Sequence, residues 1–479
     1  MREKTPIYTA IKNYINQKSL RFHMPGHIGS AIYFDNILEQ LARLDITEVT
    51  GLDDFHLPQG IIEEGRQALT RAFGVSESYF LVNGASSGIH ALFLALSNKE
   101  KDTFLISRNV HKSVFAAMVL ADVIPEYIKC QTDSYLGITV STTSEQIENV
   151  LSCSEVAKAV FITNPSYYGT VSNTKKIFEI ANKYNKPLLV DEAHGAHFYF
   201  HSEYPTPSID AGAYAAVNGL HKSLPVLNQG ACIHVGENFK EKEQLFSAIS
   251  LLTTTSPSYP ILASIDLARN FIEKEGQAFL DRALKLSIEY KRKISSIKGI
   301  HCITDDYLGY MGINQIDPLK VVISPIQLSI NGYELATILY EKYNIHIEMA
   351  EPNIVVAMFS LLHTRSDWST LYKALKDIAR IYYTDTKKKN EVIALPLPKV
   401  TLSPRAGYRA ASKKVKLNQS INKVSAEIVT LYPPGVPCLL PGETITQEII
   451  DYITFVKKTG GYIQGPKDAS METIAIVDG

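Results

Sequence analysis

The chain has 479 residues, a length typical of about three domains, and its 45% apolar and 20% charged residues are ordinary for a globular protein. Its formal net charge of −1 argues against a nucleic-acid or polyanion binder, because such proteins depend on a large basic surface. No run of eighteen apolar residues, no signal-peptide pattern and no CxxC pair occurs, so we expect a cytoplasmic protein with reduced thiols and no membrane span.

The first 75 residues combine two helices with irregular segments. Apolar residues at helical spacing predict a helix over 5–18, and a second helical pattern covers 61–74. Between them, RFHMPGHIGS (21–30) places two histidines around a Pro-Gly turn. The stretch 44–60 is rich in acidic residues, Gly and Pro, which indicates an irregular loop. We therefore treat 1–75 as an N-terminal segment that builds site loops and subunit contacts.

Strands and helices alternate through 76–298, the predicted large domain. The predicted strands are 79–84, 103–107, 123–128, 158–165, 187–193, 214–219 and 230–235. The predicted helices are 86–97, 111–121, 144–152, 173–185, 237–252 and 261–298. This alternation predicts an α/β domain with a mostly parallel sheet and helices on both faces. Ligands of such sheets bind at the carboxyl ends of the strands.

Residues 299–479 have the pattern of a smaller α+β region. Its predicted strands are 319–324 and 353–359, and its predicted helices are 332–343, 366–381 and 446–460. The turn YPPGVP (432–437) precedes the last helix. We expect it to be rigid, because each Pro fixes its own φ and restricts the residue before it.

Two polar residues follow short apolar runs in the large domain. Lys222 lies in NGLHKS (218–223) and Asp191 in LLVDEAHG (188–195), with no long helical pattern between them. Two neighbouring strands could therefore bring both side chains to one edge of the sheet. This pair suits pyridoxal phosphate (PLP), because a lysine amine forms an imine with its aldehyde and a carboxylate keeps its ring nitrogen protonated. The structural alternatives are a lysine that reaches solvent and an acid in a salt bridge.

A Gly/Ser turn, NGASSGIHA (83–91), opens the helix that follows the first strand of this domain. The Ala85 amide and the hydroxyls of Ser86 and Ser87 suit a phosphate group at a helix N-terminus, although an ordinary N-cap explains them as well.

Four further polar residues occupy strand or helix ends. His111 could stack on the cofactor ring, His194 could lie at its edge, and His221 could hold the phosphate or guide protons, whereas each could also be structural. Asn164 begins an Asn-Pro strand end. The order of these features along the chain is the one expected of fold-type I PLP enzymes: a phosphate turn, a His, an Asn-Pro, an Asp and a Lys.

Seven motifs together resemble the ornithine/lysine/arginine decarboxylases of bacteria, over residues 5 to about 467. These motifs are RFHMPGHIGS, LDITEVTGLDD, NGASSGIHA, NPSYYG, VDEAHGAH, HKSLPVLNQGA and YPPGVPCLLPGE. Four positions depart from the family pattern. Gly219-Leu220 stands where the family usually has Ser-Thr. Ile28 replaces a Lys that is frequent in the family, and Asn228 replaces a Thr that is common there.

The resemblance implies a fold-type I, aspartate aminotransferase-like large domain with a smaller C-terminal α+β domain. It also implies residue roles. Lys222 would hold PLP as an imine, Asp191 would pair with the ring nitrogen, His111 would stack on the ring, and His194 would lie beside it. Ser86, Ser87 and His221 would contact the phosphate. No metal is implied.

The implied reaction is decarboxylation of a basic amino acid, arginine first and then lysine or ornithine, in polyamine metabolism. The implied assembly is a homodimer with its sites at the interface, in a short form without the N-terminal wing domain. The acidic partner of the substrate's distal cation stays open among Asp45, Glu48, Asp53, Asp54 and Glu427.

Two rival interpretations remain. One is an aminotransferase or aldolase on the same fold. Aminotransferases hold the substrate α-carboxylate with an arginine of the small domain, and Arg405 could be misread as that residue. The other is a catalytically silent homologue with a binding role, which the loss of Ser-Thr before His221 makes conceivable.

Overall fold

The computed structural model describes residues 5–17, 41–98, 101–154, 156–385, 392–431 and 435–478. The segment RFHMPGHIGS and the Tyr432, Pro433 and Pro434 positions of the YPPGVP turn lie outside these residues. Backbone contacts divide the chain into two compact units. The first unit comprises 1–96, 190–202 and 206–280, and the second unit comprises 97–189, 203–205 and 281–479.

The described helices fall close to the predicted ones. They are α1 Pro6–Asn16, α2 Ile61–Phe73, α3 Gly84–Leu96, α4 Lys112–Ala121, α5 Ser144–Leu151, α6 Thr174–Lys183, α7 Leu220–Ser223, α8 Lys242–Leu252, α9 Tyr259–Ser295, α10 Gly332–Tyr343, α11 Arg365–Tyr382, α12 Pro404–Arg409 and α13 Gln447–Thr459. Two short helices were not predicted: α7, which carries Lys222, and α12.

Nine of the described strands lie at predicted runs, and the other eleven were not predicted. The described strands are β1 Glu77–Leu81, β2 Thr103–Ser107, β3 Ile124–Ile128, β4 Gln131–Thr132, β5 Thr139–Ser141, β6 Ala157–Thr163, β7 Thr170–Ser172, β8 Leu188–Asp191, β9 Ala215–Asn218, β10 Ala231–Val235, β11 His301–Cys302, β12 Ile313–Ile316, β13 Lys320–Ser324, β14 Met349–Glu351, β15 Ile354–Met358, β16 Ser412–Lys416, β17 Val429–Leu431, β18 Val436–Leu439, β19 Ile463–Gln464 and β20 Thr473–Val477.

In the first unit, the strand order is β1-β10-β9-β8. Strand β10 pairs antiparallel with both β1 and β9. Helix α3 lies directly on this sheet because position 88 is a glycine. A Cβ atom on Gly88 would come within 2.6 Å of Leu81 Cδ1 and 3.0 Å of Val217 Cγ1. This close packing fixes the N-terminal turn of α3 above the sheet.

In the second unit, the strand order is β6-β2-β3. Strand β2 pairs parallel with β3 and with β6, as strands joined by crossover helices do. The buried runs of these strands are almost wholly apolar, which is the pattern of a sheet covered on both faces. The alternation of strands and helices therefore predicted this part of the fold correctly.

The C-terminal part of the second unit contains several smaller sheets. The largest is four-stranded and antiparallel, with the order β11-β13-β15-β14. An apolar cluster centred on α13 packs against β17, β18 and β20. Among the described helices, none is long and apolar enough to span a bilayer.

Candidate active site

The loops that follow β8 and β9 are joined by backbone hydrogen bonds within the first unit. Glu192 N donates to Val217 O at 3.0 Å, and Gly219 N donates to Ala193 O at 3.2 Å. The segment DEAHG and the segment NGLHKS therefore run side by side. This arrangement follows from two neighbouring strands that end at the same level.

Lys222 and His194 meet across these two loops. Lys222 Nζ lies 3.1 Å from His194 Nε2, and the His194 residue is 8% exposed. The backbone of Lys222 is held by a hydrogen bond from its N–H to Gly219 O at 2.9 Å. An amine and an imidazole at this distance can exchange a proton.

Gly219 makes the close approach of the two loops possible. A Cβ atom at this position would lie 2.8 Å from Ala193 O and 3.2 Å from Lys222 Cδ. A serine, which the family pattern usually has here, would therefore require the loop to shift. The following Leu220 is buried, so an apolar side chain stands where a threonine hydroxyl was expected.

Asp191 is the last residue of β8 and is 4% exposed. Burial raises the pKa of the Asp191 carboxyl, whereas the positive charge of Lys222 and the Ala193 N–H, which donates to Oδ1 at 3.1 Å, oppose that rise. The lysine and the acid thus act on each other electrostatically, and Lys222 favours the ionised carboxylate.

Glu192 holds the DEAHG loop in place through a buried network that sequence reasoning missed. Its carboxylate accepts hydrogen bonds from Ser208 N at 2.7 Å, Ser208 Oγ at 2.6 Å and Tyr199 OH at 3.0 Å. Asn218 Nδ2 donates to it at 3.2 Å. Desolvation nevertheless raises the pKa of Glu192 to about 7. The signal in the sequence was an acid directly after Asp191 in an apolar neighbourhood.

His221 is fastened to the loop before β10. Its backbone N–H donates to Gly230 O at 3.1 Å, and its Nδ1 lies 3.0 Å from the same oxygen. Nδ1 therefore carries a proton, which leaves Nε2 as the other polar atom of the ring. Burial lowers the pKa of His221, and the nearby charge of Lys222 lowers it further. Contact with a phosphate group would require the charged, doubly protonated ring.

The two serines of the predicted phosphate turn, Ser86 and Ser87, have different environments. Ser87 is buried and its hydroxyl donates to Gly84 O at 2.8 Å, so it closes the first turn of α3. Ser86 is half-buried, and within the described part of the chain its hydroxyl has no hydrogen-bond partner. Gly84 N donates to Gln229 O at 2.9 Å, which ties this turn to the loop that holds His221. Ala85 is buried at the same turn.

In the second unit, His111 is the N-cap of α4. Its Nδ1 accepts from Ser113 N at 3.2 Å and lies 2.8 Å from Ser113 Oγ. These contacts set the orientation of the imidazole ring. The predicted helix over 111–121 thus begins one residue later, with the histidine outside it.

Asn164 is buried at the end of β6 and both ends of its amide are already engaged. Its Oδ1 accepts from Ser172 N at 2.8 Å, and its Nδ2 donates to Thr174 Oγ1 at 2.8 Å. One amide hydrogen remains for a ligand. The structure therefore gives Asn164 a clear role in holding β7 and the start of α6.

Four of the acidic residues proposed for the substrate's distal cation have structural partners. Asp53 accepts from Gly60 N at 2.8 Å and Ile62 N at 3.0 Å at the start of α2, and Asp54 accepts from His56 N at 2.7 Å. Glu48 accepts from Phe55 N at 2.9 Å, and Glu427 accepts from Ala475 N at 2.8 Å. These carboxylates therefore hold their own loops.

Arg405, the residue considered for an aminotransferase role, caps the C-terminal end of α4. Its Nε donates to Val119 O at 2.8 Å and its Nη2 to Leu120 O at 2.6 Å, with Asp122 Oδ1 3.6 Å away. A guanidinium at unsatisfied helix carbonyls is a structural arrangement.

Comparison with protein families matches residues 5–367 to the Orn/Lys/Arg decarboxylase major domain and residues 387–465 to the C-terminal domain of the same family. An arginine decarboxylase of Bacillus subtilis (strain 168) is 33% identical, over 99% of this chain and 98% of that protein. The constitutive lysine decarboxylase of Escherichia coli (strain K12) is 24% identical, over 96% of this chain and 78% of that protein.

Solved structures of similar fold include two lysine decarboxylases. The Francisella novicida lysine decarboxylase LdcF has a TM-score of 0.83 at 21% identity, covering 99% of this chain and 81% of that chain. The Pseudomonas aeruginosa lysine decarboxylase A has a TM-score of 0.83 at 21% identity, covering 99% of this chain and 80% of that chain. These similarities confirm the expected α/β architecture.

Proposed function

The chain belongs to the Orn/Lys/Arg decarboxylase family and is a decarboxylase, and on that premise we propose that it converts arginine to agmatine and CO2 with PLP attached to Lys222. The observation that carries the choice of arginine is the similarity to the B. subtilis arginine decarboxylase over nearly the full length of both chains. Lysine decarboxylases are more distant, at 23–24% identity.

The residues of the first unit fit PLP by their chemistry. The aldehyde of PLP requires an amine, which Lys222 offers, and its ring nitrogen requires a carboxylate, which buried Asp191 offers. Its phosphate requires donors, which the hydroxyl and amide groups at the start of α3 offer. Ser223 Oγ is buried beside Lys222 and has no hydrogen-bond partner among the described residues. When bound, PLP supplies the carbonyl that takes the substrate amine and withdraws electrons from the carbon that loses CO2.

Asp191 has one role in this proposal. Its carboxylate would accept a hydrogen bond from the protonated ring nitrogen of PLP, and its burial would make that interaction strong because water would not screen it. The Glu192 network positions Asp191 by fixing the loop that follows β8. Asp191 would thus bind the cofactor, and Glu192 would position Asp191.

Lys222 and His194 have the second role. Loss of CO2 from the substrate leaves an electron pair on the α-carbon, and one proton must be added there for the amine to be released. The contact between Lys222 Nζ and His194 Nε2 at 3.1 Å supports a proton donor shared by these two groups. Each turnover consumes one proton from solvent, which this pair would relay.

In the second unit, His111 and Asn164 are the residues proposed to contact the cofactor, as the resemblance implies for His111. Ser113 fixes the His111 ring, which suits a residue that stacks against a flat cofactor. Asn164 would use its remaining amide hydrogen toward the cofactor ring. His221 and Ser86 would bind the phosphate, His221 in its charged form.

We also propose a homodimer in the cytoplasm. The five cysteines, all within the described residues, are unpaired thiols, as in proteins of a reducing compartment. Light scattering on the purified protein should give twice the chain mass of 53.2 kDa. A monomeric mass at full activity would overturn this assembly.

The function is tested by incubating the PLP-loaded protein with arginine, lysine and ornithine separately and measuring both CO2 and amine. We expect agmatine from arginine, with kcat/KM at least about tenfold above that for lysine or ornithine. Formation of a 2-oxo acid without CO2 would indicate an aminotransferase. A colourless protein that releases no CO2 from any of the three would indicate the silent homologue.

A further inference from the structure

The second unit contains a cavity whose walls are rich in tyrosine. Helices α10 and α13, strand β14 and the segment after β6 line it, and it holds about 900 Å³ of empty space, counting its opening to solvent. The residues that determine its chemistry are Tyr167, Tyr168, Tyr333, Glu351, Tyr452 and Phe455. Among the lining residues, a single carboxylate therefore faces a wall that includes six aromatic side chains.

Glu351, the last residue of β14, provides that carboxylate. Its Oε1 accepts a hydrogen bond from Tyr168 OH at 2.6 Å. In the part of the chain that the structure describes, no other side chain bonds to Glu351 and no Lys, Arg or His forms an ion pair with it. Desolvation raises the pKa of Glu351 to about 7. Desolvation, together with the Glu351 charge, also raises the pKa values of Tyr168 and Tyr333. A half-buried carboxylate in an apolar wall without a cation is costly, so a ligand that supplies one would bind favourably.

The walls around Glu351 are fixed by close backbone packing. Gly332, the first residue of α10, donates from its N–H to Pro352 O at 3.0 Å. A Cβ atom at this glycine would lie 2.0 Å from Glu351 O and 2.3 Å from Ile354 O. Only a glycine permits this approach, and it places Tyr333, the next residue, beside the Glu351 carboxylate. The aromatic wall and the acid are thus held in place before any ligand arrives.

We infer that this cavity is a binding site for an aliphatic cation, an alkyl-guanidinium or alkyl-ammonium group. Aromatic faces attract such cations, and Glu351 Oε2 supplies the opposite charge. A metal ion is a poorer match. Within the described residues, no group of three or more His, Cys, Asp or Glu side chains could hold one. The aromatic walls suit the carbon chain of an organic cation instead.

Two sources can supply this cation if the proposed function is correct. One is the distal group of the basic amino acid substrate, and the other is the free amine product acting on the enzyme. Both present the same chemistry to Glu351. The binding site itself does not depend on which amino acid is decarboxylated, because the probe described below is neither substrate nor product.

The experiment is titration calorimetry of the PLP-loaded enzyme with n-butylguanidinium at pH 8, with n-butylurea as the neutral analogue. The variants are Glu351→Gln and, as a matched control, Glu341→Gln, which changes an exposed acid on α10. We expect the wild type and Glu341→Gln to bind the cation equally, Glu351→Gln to bind it at least about tenfold more weakly, and the neutral analogue not to bind. Equal binding by Glu351→Gln and the wild type, or no binding by the wild type, would overturn the inference.

A second pair of variants keeps the test valid if Glu351→Gln does not fold. Tyr333→Phe retains the ring face and should bind n-butylguanidinium like the wild type, whereas Tyr333→Leu should bind it about threefold to tenfold more weakly. Equal binding by the two variants would count against the site.

Kinetics then separate the two sources. If Glu351→Gln raises the KM for arginine with kcat unchanged, the cation is the substrate's distal group. If KM is unchanged and inhibition by agmatine is lost, the cation is the free amine. Absence of decarboxylation by the wild type would refute the proposed function but would leave the calorimetric result on the cavity standing.

Discussion

The amine of Lys222 and the imidazole of His194 are in hydrogen-bond contact, with Nζ and Nε2 3.1 Å apart. The two residues come from loops that follow different strands, β8 and β9, and the Gly219–Ala193 backbone hydrogen bond holds these loops together. The contact gives the amine a proton partner inside a buried site. Chemistry at Lys222 should therefore depend on His194.

Replacing His194 with Gln should lower kcat by roughly 10- to 100-fold, because the proton partner of Lys222 is lost. PLP binding should persist, since the variant leaves Lys222 and Asp191 in place. The measurement is the pH dependence of kcat together with the visible absorbance of the bound cofactor. His346→Gln, at an exposed position, should match the wild type. Wild-type kcat in His194→Gln would exclude the shared proton role.

Replacing Asp191 with Asn should lower kcat by roughly 100- to 1,000-fold while some PLP remains bound. An amide of the same shape removes the negative charge that would keep the ring nitrogen protonated. Turnover per bound cofactor is the quantity to compare, with Asp210→Asn, at an exposed position, as the control. If Asp191→Asn turns over within about threefold of the wild type, Asp191 does not have this role.

The two serines of the phosphate turn should respond differently to alanine. Ser86→Ala should raise the Kd for PLP by about threefold to tenfold, because its hydroxyl is available for a phosphate oxygen. Ser87→Ala should leave that Kd nearly unchanged and lower the free energy of unfolding by about 1 kcal/mol, because its hydroxyl already bonds to Gly84 O. Fluorescence titration of PLP and urea unfolding measure the two effects. The opposite pattern would place Ser87, not Ser86, at the phosphate.

Glu192 should make the free energy of unfolding depend on pH. Its pKa is raised from 4.5 to about 7 in the folded protein, so between these values the folded state binds more protons than the unfolded chain. Stability due to Glu192 is therefore present at low pH and is lost as the pH rises toward 7.

Replacing Glu192 with Gln removes this titration, so the variant's loss of stability should be larger at pH 5 than at pH 8, by about 2–3 kcal/mol. Urea unfolding of the wild type and the variant at both pH values measures the difference. Glu237→Gln, at an exposed position, should show the same small effect at both. A loss for Glu192→Gln that is larger at pH 8 would mean that the carboxylate is stabilised, not destabilised, by its site.

Local sequence patterns predicted most helix and strand positions, because the periodicity of apolar residues decides which face is buried. They also placed Lys222, Asp191 and His194 at strand ends. Glu192 and Glu351 were missed for a different reason. Their environments are assembled from distant segments, such as Ser208 around Glu192 and Tyr168 with Tyr333 around Glu351.

For the same reason, the sequence suggested functional roles for residues whose partners in the fold are structural. Asp53 lies in a stretch whose composition is typical of a site loop, yet its carboxylate accepts backbone hydrogen bonds at the start of α2. Arg405 resembles a carboxylate-binding arginine, yet it binds the last carbonyls of α4. A sequence shows which polar groups are present, but their partners depend on how the chain folds back on itself.

The central claim is that PLP is attached to Lys222, and it is tested most directly by reducing the PLP-loaded enzyme with borohydride and mapping the modified peptide by mass spectrometry. We expect the pyridoxyl group on Lys222 in the wild type and in the exposed-site control Lys240→Ala. In Lys222→Ala, the label, the visible absorbance and the release of CO2 from arginine should all be lost. A pyridoxyl group on another lysine, or CO2 release by Lys222→Ala at the wild-type rate, would contradict the account.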